Sequence, residues 1–268
     1  MLSVDRVFPV TGLRAWRDAL SLFTVIPVGT GGELRPGDAA RAVLWMPVVG
    51  LLLGVLGGAV VDGVDAGGDS GPRRLLGAAL AVALVALLTG GLHLDGLADT
   101  ADGLGSRRPA PAALDIMRRS DVGPMGVAAL VLVLLIQVTA LAAVPRASAA
   151  GLALVLATVT GRVAVVLATG SPAARPGGFG ALVAGQTSAR GRMLSVVLLG
   201  CVVLAAGAGL GGAALAVRGL LAAVVGLTAG SAVRLIAVRR LGGTTGDVFG
   251  AVVEISTAAV LVTCALGG

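Results

Sequence analysis

Residues 89–105 read Thr-Gly-Gly-Leu-His-Leu-Asp-Gly-Leu-Ala-Asp-Thr-Ala-Asp-Gly-Leu-Gly, and they place three carboxylates and the chain's single histidine at the end of a membrane-length apolar stretch. Asp95, Asp99 and Asp102 are spaced i, i+4, i+7, so a helix here projects all three from one face, one turn above another. Clustered carboxylates repel one another unless a cation sits among them. Mg2+ suits the set, because it prefers oxygen ligands and often bridges carboxylates to the phosphates of a substrate. Three N-caps or three solvated loop charges would be the plainer reading; it accounts for one aspartate more easily than for a set separated by Gly and Ala. His93 is a candidate acid, base or substrate contact, although a lone histidine at a helix end is often structural and Mg2+ seldom selects imidazole.

Further along, Asp115-Ile-Met-Arg-Arg-Ser-Asp-Val-Gly-Pro-Met-Gly126 sets two arginines and another carboxylate before a Gly-Pro break. Arg118 and Arg119 offer planar, permanently charged forks for phosphate oxygens. The plain alternative is a loop whose arginines only enforce topology. A second constellation is Leu241-Gly-Gly-Thr-Thr-Gly-Asp-Val-Phe-Gly-Ala-Val-Val-Glu254. Turns of this composition that open a helix can hold a phosphate on backbone N–H groups, which makes Gly243, Thr244 and Thr245 candidate substrate contacts. Asp247 and Glu254 again share a face at i, i+7. Glu254 lies two turns into an apolar run, where an ionised group is costly and therefore a functional candidate. Arg162, in Thr160-Gly-Arg-Val-Ala164, is either its ion-pair partner or a substrate-phosphate contact. The general-base candidates are Asp121, Asp247, Glu254 and His93, unranked.

The elements that must position these residues are membrane helices. The 268-residue chain is 56% hydrophobic and 13% charged, with a mean hydropathy of +0.99, which excludes an ordinary soluble globular protein. Seven apolar spans are predicted, at roughly 43–61, 75–92, 125–144, 148–169, 193–215, 217–238 and 248–266. The fold class is therefore all-α, a polytopic integral membrane helical bundle forming one domain over 1–268. Residues 11–30 are amphipathic and end at Pro27, which predicts an interfacial helix running into a turn. Gly50, Gly54, Gly57 and Gly58 resemble small-residue helix contacts. The loop 171–191 is either a mobile cover or a disordered connector. No removable signal peptide is evident, and Cys201 and Cys264, each inside an apolar run, imply neither a disulfide framework nor a thiolate metal site.

All 20 basic residues are arginine. With those spans, Arg6, Arg14, Arg17, Arg35, Arg41, Arg107, Arg108, Arg118, Arg119, Arg175, Arg190, Arg192, Arg239 and Arg240 fall on one side. The other side has only Arg73, Arg74, Arg146 and Arg218, with Asp62, Asp65 and Asp69 beside the first pair. The Arg-rich side is predicted to be cytoplasmic, which puts both polar constellations on that face. Scattered arginines with 2% aromatic residues exclude nucleic acid as a partner.

The stretches Gly90–Gly103, Met117–Gly126 and Leu241–Glu254, with Phe23-Thr-Val-Ile-Pro-Val28 and the Pro47/Gly50/Gly54 spacing, resemble the cobalamin synthases, the adenosylcobinamide-GDP ribazoletransferase family. The resemblance covers nearly the whole chain. It implies a Mg2+-dependent enzyme of the bacterial cytoplasmic (inner) membrane that joins adenosylcobinamide-GDP to α-ribazole or its 5′-phosphate. The products would be GMP and adenosylcobalamin or its phosphate. Membrane lipid is implied as a partner, and a homo-oligomer or neighbouring cobalamin-pathway enzymes are further candidates. Two other readings stand beside it. The aspartate pattern is analogous to that of the CDP-alcohol phosphatidyltransferases, and a cation-coupled transporter could use Glu254, Arg162 and the aspartates as a coupling site.

Overall fold

The computed structural model describes residues 10–29, 37–66, 70–145, 147–210 and 212–267. Arg6, Arg35, Asp69 and Arg146, which enter the charge comparison above, lie outside the described residues. Among the described residues every named element is helical. Among these same residues seven helices are long and apolar enough to cross a membrane: α3 (Met46–Asp65), α4 (Gly71–Leu88), α7 (Pro124–Ala143), α8 (Ala147–Ala168), α10 (Ala189–Leu210), α11 (Gly212–Leu241) and α12 (Gly246–Leu266). The five short ones are α1 (Val10–Phe23), α2 (Asp38–Val43), α5 (Leu92–Gly105), α6 (Ala110–Ile116) and α9 (Gly178–Val183). Each predicted span corresponds to one long helix. Proline stands in the first turn of α3, α4, α6 and α7, where its missing N–H costs nothing.

The long helices divide by surroundings. Helix α8 is almost wholly enclosed, whereas α4, α7 and α10 turn most of their surface outward. Outward faces of Leu and Val suit lipid, and enclosure of α8 requires close neighbours. Its Thr158 carbonyl oxygen lies 2.6 Å from where a Cβ on Gly50 would stand, and the Val155 Cα is 2.6 Å from a Cβ on Gly54. Helices α3 and α8 thus meet backbone to backbone along the glycines, the small-residue contact the spacing predicts.

The N-terminal amphipathic segment forms α1, which ends at Phe23. Thr24 Oγ1 donates to the Leu20 carbonyl at 2.6 Å, and residues 24–29 are irregular, with Pro27 disfavouring helix at Ile26. The Val25 N–H donates to Leu88 O at 2.8 Å, tying this segment to the end of α4. Arg14 pairs with the buried Asp38 of α2 at 3.3 Å, and Trp16 meets Trp45 at a ring-centroid distance of 5.6 Å. An ion pair and an aromatic contact therefore fix α1 to the bundle.

Residues 171–191 are not a disordered connector, because this segment is docked. The Thr244 N–H donates to Pro172 O at 2.9 Å and the Ala174 N–H to Thr244 O at 3.0 Å, a single parallel bridge between Ala173 and Thr244. The Gly185 N–H donates to Thr169 O at 2.8 Å, the Thr169 and Thr187 hydroxyls lie 2.6 Å apart, and Phe179 of α9 meets Phe23 edge-on at 5.6 Å. The alternation of the long helices places this strap, α5, α6 and the α11–α12 turn at one end of the bundle.

Candidate active site

At that end α4 stops at Leu88 and the chain turns through Gly90 and Gly91, both at positive φ (59° and 71°), a conformation natural to glycine. Helix α5 starts at once and lies across the first turns of α12. A Cβ on Gly96 would stand 2.6 Å from Asp247 O, and one on Gly250 would stand 2.8 Å from His93 O. Only glycine at both positions permits this approach. Its consequence is chemical: Asp247 of α12 joins the aspartates of α5.

Asp95 is exposed, and Asp99 and Asp102 are half-buried. Burial, then the charges of Asp95, Asp247 and Asp102, push the Asp99 carboxyl up to about 6, with Arg175 opposing them. Burial is the first cause, and among the neighbouring charges three carboxylates stand against the one guanidinium of Arg175. Asp102 differs from its neighbours. It accepts the Gly123 N–H at 2.7 Å and the Gly126 N–H at 2.9 Å, so both oxygens close the N-terminal turn of α7. Among the described residues, no three His, Cys, Asp or Glu side chains already enclose a metal site.

The turn before α12 is built by its hydroxyls. Thr244 and Thr245 are buried; Thr245 Oγ1 accepts the Val248 N–H at 3.2 Å, capping the helix, and donates to Asp247 Oδ2 at 3.0 Å. Gly243 is pressed against the Pro172–Ala174 backbone of the strap. These three residues hold the turn and the strap together. The side chain they bring to the cluster is Arg175, whose guanidinium lies 3.4 Å from Asp247 Oδ2 and donates to Leu114 O of α6 at 3.3 Å. Sequence reasoning placed Arg175 only among the topology-setting arginines. Its signal, an arginine in Pro172-Ala-Ala-Arg-Pro-Gly-Gly178, gave no clue that the segment folds back on the α12 turn.

Beneath this surface runs a buried polar seam. Glu254 Oε2 accepts from Gln137 Nε2 of α7 at 2.7 Å, so its direct partner is a glutamine the sequence reading did not consider. Among the described residues, no ion pair joins Glu254 to Arg162, although the two are close enough to interact electrostatically. Arg162 is 2% exposed. Its Nη1 reaches Thr158 O at 3.5 Å, while Nε and Nη2 have no hydrogen-bond partner among the described residues. His93 is buried, and burial followed by the nearby Arg162 charge lowers its pKa well below the usual histidine range. Both effects favour its neutral form.

The structure does not bring Arg118, Arg119 and Asp121 into this arrangement through any contact. They are exposed after α6, and none makes a side-chain hydrogen bond or ion pair to another described residue.

Known proteins supply an independent comparison. Residues 15–265 match the family described as cobalamin-5-phosphate synthase. An adenosylcobinamide-GDP ribazoletransferase of Frankia casuarinae is 41% identical over 262 residues, covering 93% of this chain and 94% of its own. That of Pseudomonas aeruginosa strain UCBPP-PA14 is 42% identical, covering 95% and 98%, and that of Bradyrhizobium diazoefficiens is 38% identical, covering 93% and 92%. No solved structure matches the chain. The matched segment contains α5, the strap and the α12 turn together with all seven long helices, so the chain belongs to the cobalamin-5-phosphate synthase family.

Proposed function

We propose that the chain is an adenosylcobinamide-GDP ribazoletransferase of the bacterial inner membrane, with its active site on the cytoplasmic face. Family membership supports the reaction. The observation that ties it to this end of the molecule is the convergence of Asp95, Asp99 and Asp247 beside a single guanidinium, that of Arg175. The excess of arginine at the same end favours the cytoplasmic side. A coupling site for transport belongs near the bilayer midplane, whereas these carboxylates sit at a helix-bundle end.

In the reaction a hydroxyl of α-ribazole, free or 5′-phosphorylated, attacks the phosphorus joined to cobinamide. The bond from that phosphorus to the GMP oxygen breaks, GMP carries off the electron pair, and the hydroxyl proton passes to water at the open end of the bundle. A loose phosphoryl transfer leaves the protein mainly positioning and electrostatic work. Arg175 is placed to bind phosphate oxygens in exchange for part of its contact with Asp247. The donor set fits Mg2+ in kind: its atoms are carboxylate oxygens and Asp95 is open to solvent, as suits an ion that keeps waters and substrate phosphates in its shell. Asp95 and Asp99 would hold it, and when bound it supplies neutralisation of the pyrophosphate charge. Asp102 ties α5 to α7, and neutral His93 supports the floor of the site.

The test is GMP release by membranes containing the protein, supplied with adenosylcobinamide-GDP and α-ribazole. GMP and a cobalamin product should form with Mg2+ and stop on addition of EDTA. Release that persists in EDTA removes the metal, and no release from inserted, folded protein removes the reaction.

A further inference from the structure

From Val122 to Gly246 the chain contains nine of its twenty arginines and no Asp or Glu. Elsewhere at the arginine-rich end guanidiniums meet carboxylates: Arg14 and Arg41 meet Asp38, and Arg175 meets Asp247. Where α10 begins and α11 ends the pattern changes. Among the described residues, Arg190, Arg192, Arg234, Arg239 and Arg240 form no ion pair.

Two of these arginines converge. Arg192 of α10 donates through Nη1 to Thr187 Oγ1 at 3.0 Å, and its guanidinium carbon lies 3.9 Å from where a Cβ on Gly170 would stand. Arg234 of α11 donates through Nη1 to Ser171 Oγ at 3.0 Å. The adjacent residues Gly170 and Ser171 thus bring guanidiniums from two long helices to one corner, where α8 passes into the strap. Both side chains are half-buried, and their Nε and Nη2 groups donate to no described residue. Two permanent cations in one half-buried corner repel each other and leave donors unmet, which an anion relieves.

The surroundings select the anion. Arg234 lies seven residues before the end of α11, about 10 Å inside the helix and deeper than the loop position of an arginine that only sets topology. An ionised group within a membrane span calls for a partner. Beside it Leu235 and Ile236, and on α10 Met193, Leu194, Val196 and Val197, are exposed. A soluble anion satisfies the guanidiniums and leaves these aliphatic side chains as they are. An anionic phospholipid covers both, with its phosphate on the arginines and its chains along α10 and α11. A zwitterionic lipid brings its own cation and gains less.

We propose that the corner formed by Arg192, Arg234 and the Gly170–Ser171 turn binds the phosphate of an anionic phospholipid from the surrounding membrane. The same two side chains hold the strap near its ends, at Ser171 and Thr187, so the bound lipid braces the segment that carries Arg175 to Asp247.

The experiment titrates detergent-purified protein with phosphatidylglycerol and, separately, with phosphatidylcholine of the same chains, and counts bound lipid by native mass spectrometry. Phosphatidylglycerol should bind about tenfold more tightly, and Arg192→Gln combined with Arg234→Gln should bring the two lipids within about twofold of each other. Arg107→Gln with Arg108→Gln removes the same charge elsewhere and should leave the preference intact. Each single variant, Arg192→Gln or Arg234→Gln, should lose part of the preference, and these two decide the matter if the double variant does not fold. Equal binding of both lipids by the wild type, an undiminished preference in the Arg192 and Arg234 variants, or an equal loss in the Arg107 and Arg108 variant would overturn the site. Displacement of phosphatidylglycerol by inorganic phosphate at equal concentration would overturn it too, leaving a soluble anion as the occupant.

Discussion

Helices α7 and α12 both start at the carboxylate end after glycine-rich turns, yet their first turns are completed in different ways. At α7 the amides of Gly123 and Gly126 are met by Asp102, a residue more than twenty positions upstream on α5. At α12 the cap is local, from Thr245 to Val248, and the nearby Asp247 is held by Arg175 of the strap. A carboxylate bonded to two amides at the positive end of a helix dipole is already compensated. The carboxylates without such partners are Asp95 and Asp99, while Asp247 shares its charge with Arg175. Two turns with similar composition thus do different things: one anchors a helix, and the other gathers ionised groups for chemistry.

The widest separation between these roles should come from Asp99→Ala. Turnover is expected to fall by about two to three orders of magnitude or more, with membrane insertion and detergent extraction unchanged; near-normal turnover would dissolve the charged half of the comparison. Arg175→Gln should come next, with KM for the GDP-bearing substrate raised about tenfold to a hundredfold, and Arg175→Lys should restore it only in part because the fork is lost.

Asp102 sharpens the contrast. Asp102→Ala should cost about 1–2 kcal/mol of stability as a lost cap, read by thermal unfolding in detergent, while Asp102→Asn keeps an acceptor and much of the activity. A collapse of turnover in Asp102→Asn with stability intact would return Asp102 to the metal-binding set. The smallest effect is expected from Arg118→Gln with Arg119→Gln, a change of less than about threefold in KM, since exposed charges without fixed partners contribute little. A loss comparable to that of Arg175→Gln would show that α6 closes over the substrate.

Much of this was legible along the chain because membrane helices announce themselves by length and apolar composition. The seven spans, the α3 glycine contacts and the shared face of Asp95, Asp99 and Asp102 all follow from spacings within single segments. The partners across segments were not legible. Gln137 looks like any polar residue inside an apolar helix until α7 is laid beside α12. Arg175 looks like a loop charge until the strap bonds to Thr244. Asp102 carries the same signal as Asp99, and only the position of Gly123 and Gly126 separates a cap from an unbalanced charge.

The sequence by itself determined that this is an all-helical chain with membrane-length segments and a set of carboxylates gathered at one end, because periodicity and hydropathy are local properties. Only the tertiary structure decided which of those carboxylates are satisfied and which remain available, because compensation depends on donors delivered by helices far apart in the chain, and those donors arrive where glycines let the backbones meet.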